Sequence, residues 1–404
     1  YYDLRAGVLS GVFFGAALLL QMFIKKSLHA PDWQVAVLVS APVAGHFFSF
    51  YWGHLCHRRR KMAFVLWPGL ISRALFLVLG LLSDSLTVVV VAGISFFIGS
   101  IAFPAANAIQ RQNYPTTHRY RAVGVVMVCQ HLVIALTGLG VGWILRQNEW
   151  NYHWVFPLAG LAGVAGVLVF SRIKVRGERH MEVPPPGPLS GRTVTAPVLN
   201  SVRLLLDNRP FGLYMLAQFS TGMFWLMTGP ALIRMLHEMN VSWDEAGMAL
   251  VSIRSGAILV ALTVWSRIYQ RVDPFRGRLL MSGFAILGFM LLHLAPGIGW
   301  VYVAQAVLGV SEAGGSLLWL LAQMYFAEKK DLPLYSGVHA TLTGVRGLTA
   351  PYVGAWLLGF LEAKTVFLVG AVGYVLTAAY LMVLLVFRVD QAAPGALETA
   401  SPDR

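Results

Sequence analysis

Charge is what this sequence holds least of. Only 12% of its 404 residues are Asp, Glu, Lys or Arg, against 57% hydrophobic, and the mean hydropathy is +0.65. Soluble domains carry about 25% charged residues, so water is excluded as the solvent for most of the chain and lipid takes its place. Cysteine is nearly absent too. Cys56 and Cys129 stand in no CxxC spacing, which excludes a disulfide framework and a zinc cluster; no metal and no cofactor is expected. HExxH, GxSxG and adjacent carboxylate pairs are missing, so an intramembrane enzyme is not expected either. Acidic residues number 18 against 31 Lys and Arg. Such an excess often means nucleic acid, and where the charges fall decides against it here.

What the chain does have is apolar runs. A membrane-crossing helix needs about 20 apolar residues. On that length, spans are expected at 6–24, 33–54, 62–82, 86–108, 121–145 and 153–171, then at 211–235, 246–269, 278–295, 299–326, 336–360 and 364–387. The first run reads as a span rather than a cleavable signal, because equal runs follow it. The chain opens on Tyr1 rather than Met, so an upstream start is expected. The fold class is all-α integral membrane protein, with twelve helices in two six-helix bundles.

One connector is long. It opens basic with Arg172, Lys174, Arg176 and Arg179, and turns Pro-rich at Pro184, Pro185, Pro186 and Pro188. It ends with Val198, Leu199, Val202, Leu205 and Leu206 opposite Asn200, Arg203 and Asp207, the pattern of a helix lying on the membrane surface. The division is 1–172 for the first bundle, 173–209 for the linker, 210–388 for the second bundle and 389–404 for a tail. With residue 1 on the inside, 23 of the 31 Lys and Arg fall on inner connectors and five on outer ones, while Arg73, Arg254 and Arg346 fall within spans. That bias predicts cytoplasmic termini in a cell membrane, a bacterial inner membrane being the natural setting. It also reads the basic balance as topology and contact with anionic lipid, with no nucleic-acid partner.

The halves echo each other. Gly99-Ser-Ile-Ala-Phe aligns with Gly309-Val-Ser-Glu-Ala, and Val141-Gly-Trp-Ile-Leu with Gly354-Ala-Trp-Leu-Leu, at nearly one offset. The connector after span two reads Gly53-His54-Leu55-Cys56-His57-Arg58-Arg59-Arg60-Lys61. With twelve spans and a basic central linker, it resembles the major facilitator superfamily, whose pattern there is G-x-L-(A/S)-D-(R/K)-x-G-R-(R/K). Gly53, Leu55, Arg58 and Lys61 match, and His57 replaces the acid. Ser266-Arg267-Ile268-Tyr269-Gln270-Arg271 looks like a worn second copy. The resemblance implies a pseudo-two-fold fold and a cytoplasmic latch at Gly53, Leu55, His57, Arg58 and Lys61. It also implies a cavity lined by spans one, four, seven and ten, with two, five, eight and eleven beside them. Two family features of proton-coupled members are absent. Ser95 stands where an arginine often precedes the glycine of span four, and Thr137-Gly138-Leu139-Gly140-Val141-Gly142 lacks a Gly-Pro signature.

Charges at mid-bilayer cost at least about 2.5–3.5 kcal/mol each, which makes Glu312, Arg254 and Arg346 the leading candidates for substrate binding or coupling. A carboxylate between two guanidinium groups would leave one net positive charge for an anion. The competing reading is an ion pair that only fixes helix register. His131 and Gln130 in span five are further candidates, as are Trp225 and Trp319 for a pocket wall; Tyr214, Phe224 and Trp356 are weaker. His46 and His339 rank lower still. Arg73 is expected in a structural pair or snorkelling, and Arg234 and His293 at the outer interface. Pro104 and Pro351 are expected to kink their helices, and Gly314-Gly315 to permit close helix approach.

The reading that gathers most of this is a secondary transporter. It moves a small solute, an organic anion or zwitterion by its arginines, through alternating access with the site near the midplane. Its partners are that solute, membrane lipids and, as a candidate, protons; a monomer is expected. The alternatives are a non-transporting assembly or sensor module on the same fold, and drug or metabolite efflux by proton antiport. Substrate identity and direction stay open at this point.

Overall fold

The computed structural model describes residues 1–49, 51–52, 56, 60–114, 116–176, 202–327 and 332–389. The first bundle comprises α1 (Tyr2–Lys26), α2 (Asp32–Ala44, continued by the 3₁₀ turn Gly45–Phe48), α3 (Lys61–Leu79), α4 (Ser85–Ser100 and Ala102–Asn113), α5 (Thr116–Gln147) and α6 (Tyr152–Ser171). The second comprises α7 (Arg209–Glu238), α8 (Trp243–Gly247, the π-turn Met248–Ser252 and Ile253–Ile268), α9 (Pro274–His293), α10 (Ile298–Phe326), α11 (Leu332–Leu357) and α12 (Ala363–Val386). No strand occurs among the described residues. Latch positions Gly53, Leu55, His57 and Arg58 lie outside them, as does most of the linker and the tail.

Helix starts follow from capping chemistry. Asp84 accepts from the Thr87 amide at 2.8 Å to open α4, and that contact, through the amide first and the Thr87 hydroxyl second, holds its carboxyl below the usual range. Asn208 caps α7, with Pro210 in the first turn. Ser242 and Glu245 form a reciprocal box at α8, and Asp273 caps α9 ahead of Pro274. The break in α4 falls at Ile101, between its two pieces. Pro104 offers no amide to the Ser100 carbonyl, so the ladder fails there.

Nine helical stretches among the described residues are long and apolar enough to cross a membrane; they fall at expected spans one, three to six, eight to ten and twelve. At spans two, seven and eleven stand α2, α7 and α11. The last two carry buried Gln218, Thr221 and Thr228, and His339, Thr343 and Arg346, polar groups that lower their hydropathy because they face protein rather than lipid. Outward, Leu136, Val260 and Leu376 are exposed, which suits a hydrocarbon surround.

The packing is duplicated. In the first bundle α1 packs on α5 and α6, α3 on α4 and α6, and α2 on α4; in the second α7 packs on α11 and α12, α9 on α10 and α12, and α8 on α10. The bundles then meet along two seams, α2 with α11 and α5 with α8. These exchange under the same pairing, which is the signature of a pseudo-two-fold axis. Both seams are close. A Cβ on Gly344 would stand 2.0 Å from the Phe47 amide nitrogen, and one on Gly138 would stand 2.6 Å from Val251, so only glycine admits the neighbouring helix.

The two faces of the molecule differ. On the face away from the termini, Arg234 of α7 pairs with Asp32 of α2 at 3.1 Å, and Arg146 of α5 with Asp244 of α8 at 2.7 Å. Lys26 donates to the Val241 carbonyl at 2.5 Å, and the Trp243 indole to Glu149 at 2.9 Å. Among the described residues, both salt bridges that join the bundles lie on this face. Toward the termini face, α4 and α10 touch through Phe103 and Trp319, whose ring centroids are 5.7 Å apart.

Candidate functional site

Gly309 sets the geometry. A Cβ there would stand 2.7 Å from the Arg254 carbonyl oxygen, so α10 lies directly against α8. Three residues on along the same face of α10 comes Glu312. On α8, the π-turn inserts one residue and offsets the register of its two halves. Ser252, at the end of the turn, donates to the Ala135 carbonyl of α5 at 2.7 Å, while Arg254, two residues later, turns toward α10. Its Nε donates to Glu312 Oε2 at 2.5 Å.

The pair faces the space between bundles. The Arg254 guanidinium carbon lies 4.8 Å from the Trp225 ring of α7, and Glu312 is near enough to act electrostatically on His131 of α5. The side chains keep 23% and 40% exposure, so neither is entombed. Nη1 and Nη2 of Arg254 make no hydrogen bond among the described residues, which leaves a two-donor edge of the kind that grips a carboxylate.

Beside the pair is a cavity of about 150 Å³. Leu18, Gln21 and Val39 come to it from the first bundle; Trp225, Arg254 and Gln305 come from the second. Leu232, Leu292 and Phe367 place it toward the ion-paired face, with Arg254 at its end nearer the middle of the helices.

A polar network runs toward the termini face. Arg346 is buried; its Nη1 donates to the Gln218 carbonyl at 2.6 Å and its Nη2 to Thr343 Oγ1 at 2.9 Å. His339 sits between two amides, with Gln323 Nε2 2.7 Å from Nδ1 and Gln218 Nε2 3.2 Å from its Nε2. Gln323 is anchored by Ser336 and by the Trp319 carbonyl, so it donates to Nδ1 and the imidazole N–H sits on Nε2. Gln218 Oε1 has no partner as placed, and turning that amide satisfies both groups.

The sequence profile of the Major Facilitator Superfamily matches residues 6–220 and again 214–402. This chain belongs to the Major Facilitator Superfamily. A peptide transporter of the POT type in complex with alafosfalin superposes with a TM-score of 0.77 at 15% identity, covering 98% of this chain and 95% of that one. The nucleoside transporter NupG superposes at 0.70 and 13% identity, over 95% of this chain and 100% of its own. A POT family transporter in complex with 5-aminolevulinic acid gives 0.67 at 15% identity, over 99% and 96%. At such identities the likeness concerns the fold. The gentisate transporter of Corynebacterium glutamicum is 25% identical over 174 residues, 43% of this chain and 39% of that protein. The chain is thus a multi-pass membrane transporter of the superfamily and not an enzyme.

Within that superfamily fold, the expected residues divide. Arg254, Glu312, Trp225 and His131 come together. The expected triad does not form: among the described residues Glu312 bonds to Arg254 alone, and Arg346 spends Nη1 and Nη2 on a carbonyl and a hydroxyl and leaves Nε unpartnered. Trp319 bridges Phe103 and His339, 5.2 Å from the latter, and so belongs to the polar network rather than the cavity. Gln130 presents its backbone carbonyl to Gly11 of α1. Tyr214 is sealed in an aromatic cluster with Phe275 and Phe326, Phe224 lies against Gly373, and Trp356 is exposed on the outside. His46 contacts Ser49 and Phe103, Lys61 is buried, and His293 meets the Lys364 carbonyl at 2.9 Å.

Arg73 neither pairs with an acid among the described residues nor snorkels. Its guanidinium carbon lies 3.7 Å from the Phe13 ring and 4.9 Å from Phe14, so two π faces replace a counter-ion. Arg278, counted above with a connector, is instead buried in the first turns of α9, with Nε and Nη2 unpartnered among the described residues. Gln305 does not stand out in the sequence, because an uncharged amide in an apolar span raises no alarm. Its seven-residue spacing from Glu312, two turns on one helix face, is the signal that finds it.

Proposed function

We propose that this chain is a secondary active transporter of a small organic anion or zwitterion, working by alternating access between its two bundles. The observation that carries the reading is Arg254, held at half depth by Glu312 with two donors unspent. A substrate carboxylate takes those donors, and proton binding by Glu312 releases the guanidinium to it. Charge then balances in both states: Arg254 faces ionised Glu312 when empty, and substrate with neutral Glu312 when loaded. The ion-paired face is the closed gate of one end state, and cross-bundle pairs Arg234–Asp32 and Arg146–Asp244 must part to reach the other. Two relatives support the class, one a transporter of gentisate, an organic anion, and one solved in complex with 5-aminolevulinic acid, a zwitterion.

The positive-inside bias assigns the termini face to the cytoplasm of a cell membrane, with the bundles at 1–172 and 210–388 acting as rigid halves of a monomer. The test is uptake of organic anions into proteoliposomes with and without an imposed pH gradient. A gradient-stimulated uptake is expected for the natural chain, and Glu312→Gln is expected to flatten its pH profile. A variant with an unchanged profile would remove Glu312 from the coupling.

A further inference from the structure

The cavity beside Arg254 has a size, a wall and two polar ends, and together these specify more than a charge. We infer that the transported anion is a single-ring aromatic monocarboxylate bearing a hydroxyl group, with its carboxylate on Arg254 and its hydroxyl on Gln305; this rests on the transporter reading above.

Size comes first. A cavity of about 150 Å³ matches the engineered protein cavity of that volume that takes up benzene. The wall is next. Trp225, Phe289 and Phe367 line it, aromatic surfaces that hold a ring by offset or edge contact.

The polar ends are set by Arg254 and Gln305. Gln305 is 0% exposed, and neither Oε1 nor Nε2 finds a partner among the described residues. A buried amide left without hydrogen bonds is costly, and Gln305, which borders the cavity without opening onto it, gains its missing partner by turning its side chain toward whatever fills that space. An amide offers both a donor and an acceptor, and a hydroxyl answers either. Gln305 and Glu312 are seven residues apart on α10, about 10 Å of helix rise, and Arg254 reaches into that interval from α8. A benzene ring with a polar group at each end spans it. Charge narrows the class further. Arg254 supplies one positive charge, and neutralised Glu312 supplies none, so a monoanion balances the site and a dianion leaves an excess.

The experiment uses the full purified chain and measures dissociation constants by calorimetry for benzoate, 4-hydroxybenzoate, 3-hydroxybenzoate and cyclohexanecarboxylate, with a zwitterionic dipeptide and citrate as larger probes. The expected result is tightest binding of a hydroxybenzoate, about tenfold tighter than benzoate, as one buried hydrogen bond gives. Cyclohexanecarboxylate should bind more weakly than benzoate. Gln305→Leu, which removes an unpaired buried amide and so should fold, is expected to erase the hydroxyl preference, so that hydroxybenzoates and benzoate bind alike. Gln305→Asn, a shorter amide, should retain part of it. A hydroxyl preference that survives Gln305→Leu overturns the assignment of Gln305. If a dipeptide or citrate binds and is carried while the ring acids are not, the ring assignment falls and the transporter reading stands. If none of the probes binds or is carried, both fall.

Discussion

Each bundle holds a half-buried arginine against aromatic rings in the body of a helix, and the two are treated in opposite ways. In the first bundle Arg73 lies 3.7 Å from Phe13 and 4.9 Å from Phe14, with one long contact from Nη1 to Ser72 Oγ at 3.5 Å. In the second, Arg254 has a carboxylate at 2.5 Å, an indole at 4.8 Å and an edge still free. Aromatic faces satisfy a cation without offering it to anything else. A single carboxylate on Nε satisfies it incompletely and leaves it addressable. Under the proposed function, the duplicated scaffold therefore carries its chemistry on one side: the first bundle supplies walls, and the second reads the solute.

The sharpest break of that contrast is a matched pair of substitutions. Arg254→Met is expected to reduce organic-anion uptake about 100-fold, the loss of a charge-assisted contact worth about 3 kcal/mol, while Arg73→Met changes uptake less than about threefold and lowers the melting temperature instead. Equal losses of uptake would mean that the two arginines share one role. Next in size is the seam. Gly344→Ala or Gly138→Ala forces a methyl into occupied space and should cost about 1–3 kcal/mol in thermal or denaturant unfolding. Gly124→Ala, with nothing within 4 Å of its Cβ, should be silent. A smaller effect is expected at the gate. Asp32 holds both Lys25 at 2.7 Å and Arg234 at 3.1 Å, so Asp32→Asn should raise labelling of a cysteine placed at Val39 from that face by a few-fold, as expected for partly exposed pairs worth about 1 kcal/mol or less. Unchanged labelling would mean the seams alone keep that face shut.

These contrasts also show what a sequence discloses. The helices were legible because hydrocarbon imposes length and hydrophobicity on each span, and the duplication because Gly99 and Gly309, and Trp143 and Trp356, repeat at nearly the same offset. Arg254 and Glu312 were legible because a charge at half depth is expensive. Their mutual pairing, without Arg346, was not, since which face of α8 carries Arg254 depends on the π-turn at Met248–Ser252, a one-residue insertion that periodicity cannot locate. Arg278 hid at a span edge, where a basic residue ordinarily means headgroups. Tyr114 hid likewise: at the end of α4 it donates to Asp3 at 2.8 Å, and burial together with that carboxylate pushes its phenol up to about 12, a tie between α1 and α4 that pairs residues more than a hundred positions apart. Gln305 hid because neutrality in an apolar run looks harmless.

The glycines of the two seams have a mechanical meaning. Where Gly344 meets Phe47 and Gly138 meets Val251, a bare glycine backbone takes the neighbouring helix, so no pair of long side chains interlocks at either point. Such a surface behaves as a bearing: it transmits load along the helix pair yet resists little when one half tilts. Because the pair of bearings is related by the same axis as the halves, a tilt strains both alike, and the proposed alternating access needs no step in which the halves first come apart.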